Sequence, residues 1–191
     1  RRAGGSYHTK RGRRIYQASS ENEETGKYTG DRNCGRLFCY FYEQVYCRGW
    51  NITTIENYQP RIDQAKENIK LAGAEKKITL LEGDANEILP TLSDQYDLVF
   101  MDAAKGQYGS FFQKVVPLLA PEGILLCDNV LQDGDVLESR FAVTRRNRTI
   151  HARMREYLYE LKHDERLDTA ILNIGDGMSL SVKKTADKKD H

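Results

Sequence analysis

From Ile52 onward the chain alternates short runs rich in β-branched and aliphatic residues with longer stretches whose apolar positions recur every three or four residues. That alternation predicts a parallel sheet with helices on both faces, an α/β fold. Residues 52–56 read as a strand. Residues 60–72 read as a helix with Ile62, Ala65, Ile69 and Ala72 on one face and Gly73 as its stop. Strands are expected at 77–82, 96–101 and 124–127, with a crossover helix over 111–119. Residues 140–161 predict a long amphipathic helix whose core face carries Ile150, Met154, Tyr157, Leu158 and Leu161. Residues 169–174 and 178–182, joined by Gly175-Asp176-Gly177, predict a hairpin. The stretch 184–191 is a polar tail.

Residues 1–50 differ in kind. They carry ten Lys/Arg against five Asp/Glu, whereas the rest carries nineteen against twenty-three. Beyond an apolar/aromatic alternation at 37–46 they show little periodicity, and on composition much of the segment reads as disordered. The chain therefore divides into an unreliable segment at 1–51, one domain at 52–183 and the tail. Its 191 residues suit a single domain, and no apolar run approaches bilayer length. Membrane association is not expected and the cytoplasm is the default. The absence of an initiating Met and of a leader suggests a fragment or a misplaced start. Cys34, Cys39, Cys47 and Cys127 form neither a zinc pattern nor a disulfide scaffold.

Acidic or amide side chains recur at the carboxyl ends of the expected strands: Glu56, Asp84, Asp102, then Asp128 with Asn129. In an open parallel sheet those ends line the ligand crevice. Taken singly, each side chain has the plainer role of capping the next helix or turn. The series as a whole points to a site.

The strings Thr54-Ile55-Glu56-Asn57, Glu82-Gly83-Asp84-Ala85, Phe100-Met101-Asp102-Ala103-Ala104-Lys105-Gly106-Gln107-Tyr108, Cys127-Asp128-Asn129-Val130 and Gly175-Asp176-Gly177 resemble, in order and spacing, the motifs of metal-dependent O-methyltransferases of the catechol and caffeoyl-CoA type. The similarity covers about two thirds of the chain. It implies S-adenosylmethionine as cofactor, with the ribose on Glu56 and the adenine near Asp84 and Ala85. Asp102 would border both cofactor and metal. It also implies Mg²⁺ or another divalent cation on Asp102, Asp128 and Asn129, whose hard oxygen donors suit such an ion. Asp102 and Lys105 are the implied catalytic residues. The metal would lower the pKa of an acceptor hydroxyl, and Lys105 would take its proton or steady the oxyanion. Tyr108 is left out of the site, because a Tyr opening a crossover helix more often serves packing.

The resemblance also requires a strand and a glycine-rich turn just before Ile52, and residues 27–50 spell neither. Reverse-translated and shifted forward by one base, the codons of Lys27 through Trp50 can read N-I-L-E-I-G-T-A-V-G-F-S-A-I-F-M-S-K-Y-I-A-E-G-G. That string runs directly into Asn51-Ile52-Thr53-Thr54. One base gained or lost near codon 50 would then account for residues 1–50. As written, the central strand would be lost and its neighbours left with unpaired edges, unless the alternation at 37–46 fills the slot.

Two acceptors suit a bidentate metal site: a tRNA 5-hydroxyuridine and a small catechol-like molecule. Arg145, Arg146, Arg148, Arg153 and Arg155 would suit tRNA phosphates, or form a solvated helix face. The stretch 140–161 resembles the bacterial tRNA enzymes more than the plant enzymes. A non-catalytic remnant that cannot bind the cofactor is the rival from another class. A homodimer is the expected assembly.

Overall fold

A computed structural model describes residues 14–19, 51–131, 136 and 148–185. In chain order its elements are β1 (Arg14–Ser19), β2 (Asn51–Glu56), α1 (Gln59–Leu71), β3 (Ile78–Glu82), a one-turn helix α2 (Ala85–Ile88), β4 (Tyr96–Asp102), α3 (Tyr108–Leu118), β5 (Leu119–Cys127), α4 (Arg148–His163), β6 (Leu167–Leu172) and β7 (Met178–Lys183). The seven described strands make one sheet in the order β3-β2-β1-β4-β5-β7-β6. β3, β2, β1, β4 and β5 run parallel, and the β6–β7 hairpin adds antiparallel to β5.

The two faces can be told apart by successive residues of one strand, whose side chains point in opposite directions. Val99 belongs to the larger core, with Phe111, Phe112, Met154 and Tyr157 of α3 and α4. Leu98, its neighbour, packs with Ile52, Ile69 and Ile78 on the α1 side. Helices thus cover both faces, as the alternating pattern predicts. α1 buries Ile62 and Ile69, takes Pro60 into its first turn and is followed by Gly73 at φ 61°, a conformation that costs an L-residue.

Three features differ most from the sequence expectation. The slot between β2 and β4 is taken by β1, with Ala18 opposite Ile55 on one side and Met101 on the other, so the expected unpaired edges are paired. Ladder hydrogen bonds come from the backbone, which any non-proline residue supplies. Residues 37–46, whose alternation suggested that slot, lie outside the described residues.

Second, β5 begins at Leu119, five residues before the expected start. Pro121-Glu122-Gly123 looks like a turn, and Glu122 does adopt φ 62°. The pairing with β4 shifts register there and resumes at Ile124, so the strand bulges instead of ending. A Cβ on Gly123 would lie 2.7 Å from the Ala120 carbonyl oxygen, so the bulge needs glycine. Third, α3 starts at Tyr108, a turn earlier than the apolar periodicity indicates. Within α4, Met154, Tyr157 and Leu161 are buried while Ile150 and Leu158 pack partly against the core. Residues 137–147, the first turns of the predicted long helix, lie outside the described residues. No helix among the described residues is long and apolar enough to cross a membrane.

Candidate active site

The parallel register brings the acidic strand ends to one edge of the sheet. Glu56 pairs with Glu82, Ser19 with Asp102, and Met101 with Cys127. Glu56 and Asp102 therefore end the strands on either side of β1, and Asp128 and Asn129 follow the end of β5 directly. This edge is the one at which ligands sit in open α/β sheets.

Asp102 and Asn129 meet there, with Asn129 Nδ2 donating to Asp102 Oδ1 at 3.1 Å. Asn129 lies at φ 54°, a left-handed conformation that Asn tolerates better than most residues. The turn it makes is fixed locally: Asp128 N donates to the Met101 carbonyl at 3.1 Å, and Asn129 N donates to Asp128 Oδ1 at 2.8 Å. Among the described residues no three His, Cys, Asp or Glu side chains converge as a metal-binding group. The set here is two carboxylates and an amide. Rotating the Asn129 amide by half a turn replaces Nδ2 by its oxygen, and all three side chains then offer hard oxygen donors. The residues present fit a divalent cation that keeps part of its shell for water or substrate.

Glu56 is buried, at 7% exposure, and its carboxylate is engaged from its own turn. Oε1 accepts from the backbone N–H groups of Asn57 and Tyr58, both at 3.0 Å. Oε2 faces Arg61 Nε at 3.1 Å, and the Arg61 guanidinium lies over the Tyr58 ring, 5.1 Å from its centre. The carboxylate is thus held at the carboxyl edge of the sheet by its own turn and by Arg61. Asp84 performs the plainer of its two roles: its Oδ1 accepts from Asn86 N at 2.7 Å and caps α2. Ala85 is buried in the larger core, so its methyl group is directed away from solvent. The glycine-rich turn has no counterpart in the sequence that follows β1, where Ser20-Glu21-Asn22-Glu23-Glu24 stands instead.

Lys105 is exposed, in the loop between β4 and α3. With Gly106, Arg153, Glu156 and Glu160 it lines a cleft of about 190 Å³ between α3 and α4. A Cβ on Gly106 would come within 3.0 Å of Arg153 Nη1, so the arginine lies against the loop that carries Lys105.

Tyr108 packs in the core, as expected of a Tyr opening a crossover helix, and it also reaches the turn after β5. Its side chain is 1% exposed, and its hydroxyl donates to the Asp128 carbonyl at 2.6 Å. Its ring lies 5.2 Å from that of Tyr157, whose hydroxyl meets Cys127 Sγ at 3.0 Å. Burial pushes both phenols well above their usual range, with the Asp102 charge adding to the effect on Tyr108 and Cys127 to that on Tyr157. Burial likewise pushes the Cys127 thiol up to about 12. The signal for Tyr108 was its place at the first position of α3, six residues after Asp102.

A seven-stranded sheet in this order, with acidic side chains at successive carboxyl ends, defines the class of Rossmann-like methyltransferases. The chain belongs to the O-methyltransferase family, whose model matches residues 46–184. It is 31% identical over 133 residues to tapetum-specific methyltransferase 1 of Arabidopsis thaliana, covering 68% of this chain and 57% of that protein. To the catechol O-methyltransferase of Niastella koreensis it is 33% identical over 91 residues, covering 46% and 41%. It thus spans little more than half the length of the first of these relatives. A Podospora anserina methyltransferase solved with SAH bound superposes with a TM-score of 0.73 at 26% identity, covering 91% of this chain and 72% of that one.

Proposed function

We propose that the chain carries the catalytic end of an S-adenosylmethionine-dependent, divalent-metal-dependent O-methyltransferase acting on a hydroxyl beside a second oxygen. The observation that carries this is the meeting of Asp102 and Asn129 at 3.1 Å, with Asp128 in the same turn, at the ligand edge of the sheet. Asp102, Asp128 and Asn129 would hold Mg²⁺ or a similar cation, which when bound lowers the pKa of the acceptor hydroxyl. Glu56 would accept the ribose hydroxyls of the cofactor, Asp84 and Ala85 would border the adenine, and Lys105 would take or shield the proton at the acceptor oxygen.

A tRNA 5-hydroxyuridine is the favoured acceptor, supported by Arg148, Arg153 and Arg155 on α4, with Arg153 set beside the Lys105 loop. Arg145 and Arg146 lie outside the described residues. The second acceptor, a catechol-like small molecule, is supported by the name of the Niastella koreensis relative. Transfer of labelled methyl groups to tRNA and to a catechol, assayed side by side, separates the two.

A reading frame shifted by one base would account for residues 1–50, since their codons, with suitable third bases, can spell a glycine turn in register with Asn51. Nucleotide sequence across codons 1–55, with mass spectrometry of the natural N-terminal peptides, tests this. A native peptide containing E-I-G-T-A-V-G supports it. An uninterrupted frame for the written peptide overturns it and favours the remnant reading, for which calorimetry would detect no S-adenosylmethionine binding. The cytoplasm and a homodimer remain the expected setting and assembly.

A further inference from the structure

Residues 128–131 carry two of the three donors assigned to the cation, yet they belong to no strand or helix. Other parts of the fold hold them in place. Val130 N and Leu131 N donate to the Gly177 and Asp176 carbonyls of the hairpin turn, both at 2.9 Å. On the opposite flank the Tyr108 hydroxyl donates to the Asp128 carbonyl at 2.6 Å, from a ring fully buried against Tyr157. Asn129 sits between these anchors at φ 54°, and its side chain reaches Asp102 only while that turn is kept.

Metal affinity depends on donors being held in place before the ion arrives, and the groups that orient ligands act through them. We infer that Tyr108 is a positioning residue for the divalent-cation site, its hydroxyl fixing the Asp128–Asn129 turn against Asp102. The inference rests on the proposed metal role of Asp102, Asp128 and Asn129. Tyr157 provides an internal comparison. It is equally buried and also uses its hydroxyl, but on Cys127 Sγ instead of the turn backbone.

The test is titration of the full chain with Mn²⁺, followed by the paramagnetic resonance of the free ion, for the unmodified protein and for Asp102→Ala, Tyr108→Phe and Tyr157→Phe. The expected result is a site lost in Asp102→Ala, weakened roughly 10-fold in Tyr108→Phe, and shifted less than about twofold in Tyr157→Phe although its melting temperature falls. If Tyr108→Phe binds Mn²⁺ as tightly as the unmodified protein, the positioning role is overturned while the metal site stands. If the unmodified protein binds no Mn²⁺, or Asp102→Ala binds it equally, the metal reading falls and takes this inference with it. Should Tyr108→Phe fail to fold, hydrogen exchange on the unmodified protein decides. Saturating Mg²⁺ is expected to slow exchange at the Val130 and Leu131 amides, and unaltered exchange overturns the coupling.

Discussion

Arg61 Nε lies 3.1 Å from Glu56 Oε2, so the carboxylate assigned to the cofactor ribose is already neutralised by the first turn of the helix that follows it. Two backbone N–H groups donate to the other oxygen. The arrangement holds a buried charge at the crevice, and it makes the charge itself testable. Glu56→Gln keeps an acceptor oxygen but loses the ion pair. It is expected to cost about 1 kcal/mol of stability and to weaken S-adenosylmethionine binding about tenfold by calorimetry, in protein that carries the glycine turn. Undiminished affinity would remove Glu56 from the cofactor site.

The hairpin turn offers a paired test. A Cβ on Gly177 would lie 2.3 Å from Leu131 Cγ, on a backbone at φ 85°, whereas Gly175 at φ 57° has nothing within 4 Å. Gly177→Ala is therefore expected to cost about 2 kcal/mol or more, and Gly175→Ala about 1 kcal/mol, by thermal or denaturant melts. Equal losses would show that the contact with Leu131 is not what restricts position 177.

Alkaline stability follows from the buried thiol and phenols. Cys127 is raised from 9.0 to about 12 by burial, and Tyr108 and Tyr157 are raised from 10.0 in the same direction. Each group holds its proton more tightly when folded, so its contribution is fully present below the unfolded pKa and is lost as pH rises toward the folded one. Melting temperature is expected to hold up to about pH 9 and to fall steadily from there toward pH 12, from the Cys127 window alone. The same burial makes Cys127 inert to thiol reagents at pH 8 until the protein unfolds. Rapid labelling at Cys127 itself in the folded chain, told apart from Cys34, Cys39 and Cys47 by peptide mass spectrometry, would contradict its burial at the end of β5.

Much of this was legible in the sequence, for identifiable reasons. β2, β3 and β4 announce themselves because buried parallel strands need apolar runs, and each ends in an acid at the carboxyl edge of the sheet. The approach of Asn129 to Asp102 was legible too, since the ends of β4 and β5 are adjacent, whereas a cation on Asp102, Asp128 and Asn129 is implied by the resemblance alone. β1 was not, because Arg14–Ser19 has only Ile15 and Tyr16 as strand-favouring residues and its place is made by backbone pairing on both edges. The early start of β5 was hidden by Pro121-Glu122-Gly123, a turn-like string that here makes a bulge. The contacts of Tyr108 to a backbone carbonyl and of Arg61 to a neighbouring carboxylate were hidden because neither has a periodicity.

The claim of metal-dependent methyl transfer is tested most directly by following labelled methyl groups from S-adenosylmethionine into tRNA and into a catechol, with Mg²⁺ and with EDTA, for protein carrying the shifted-frame glycine turn and for its Asp102→Ala variant. Transfer to one acceptor is expected, falling by roughly 100-fold or more both in EDTA and in Asp102→Ala. Transfer that survives both treatments, or no transfer to either acceptor with Mg²⁺ present, would contradict it.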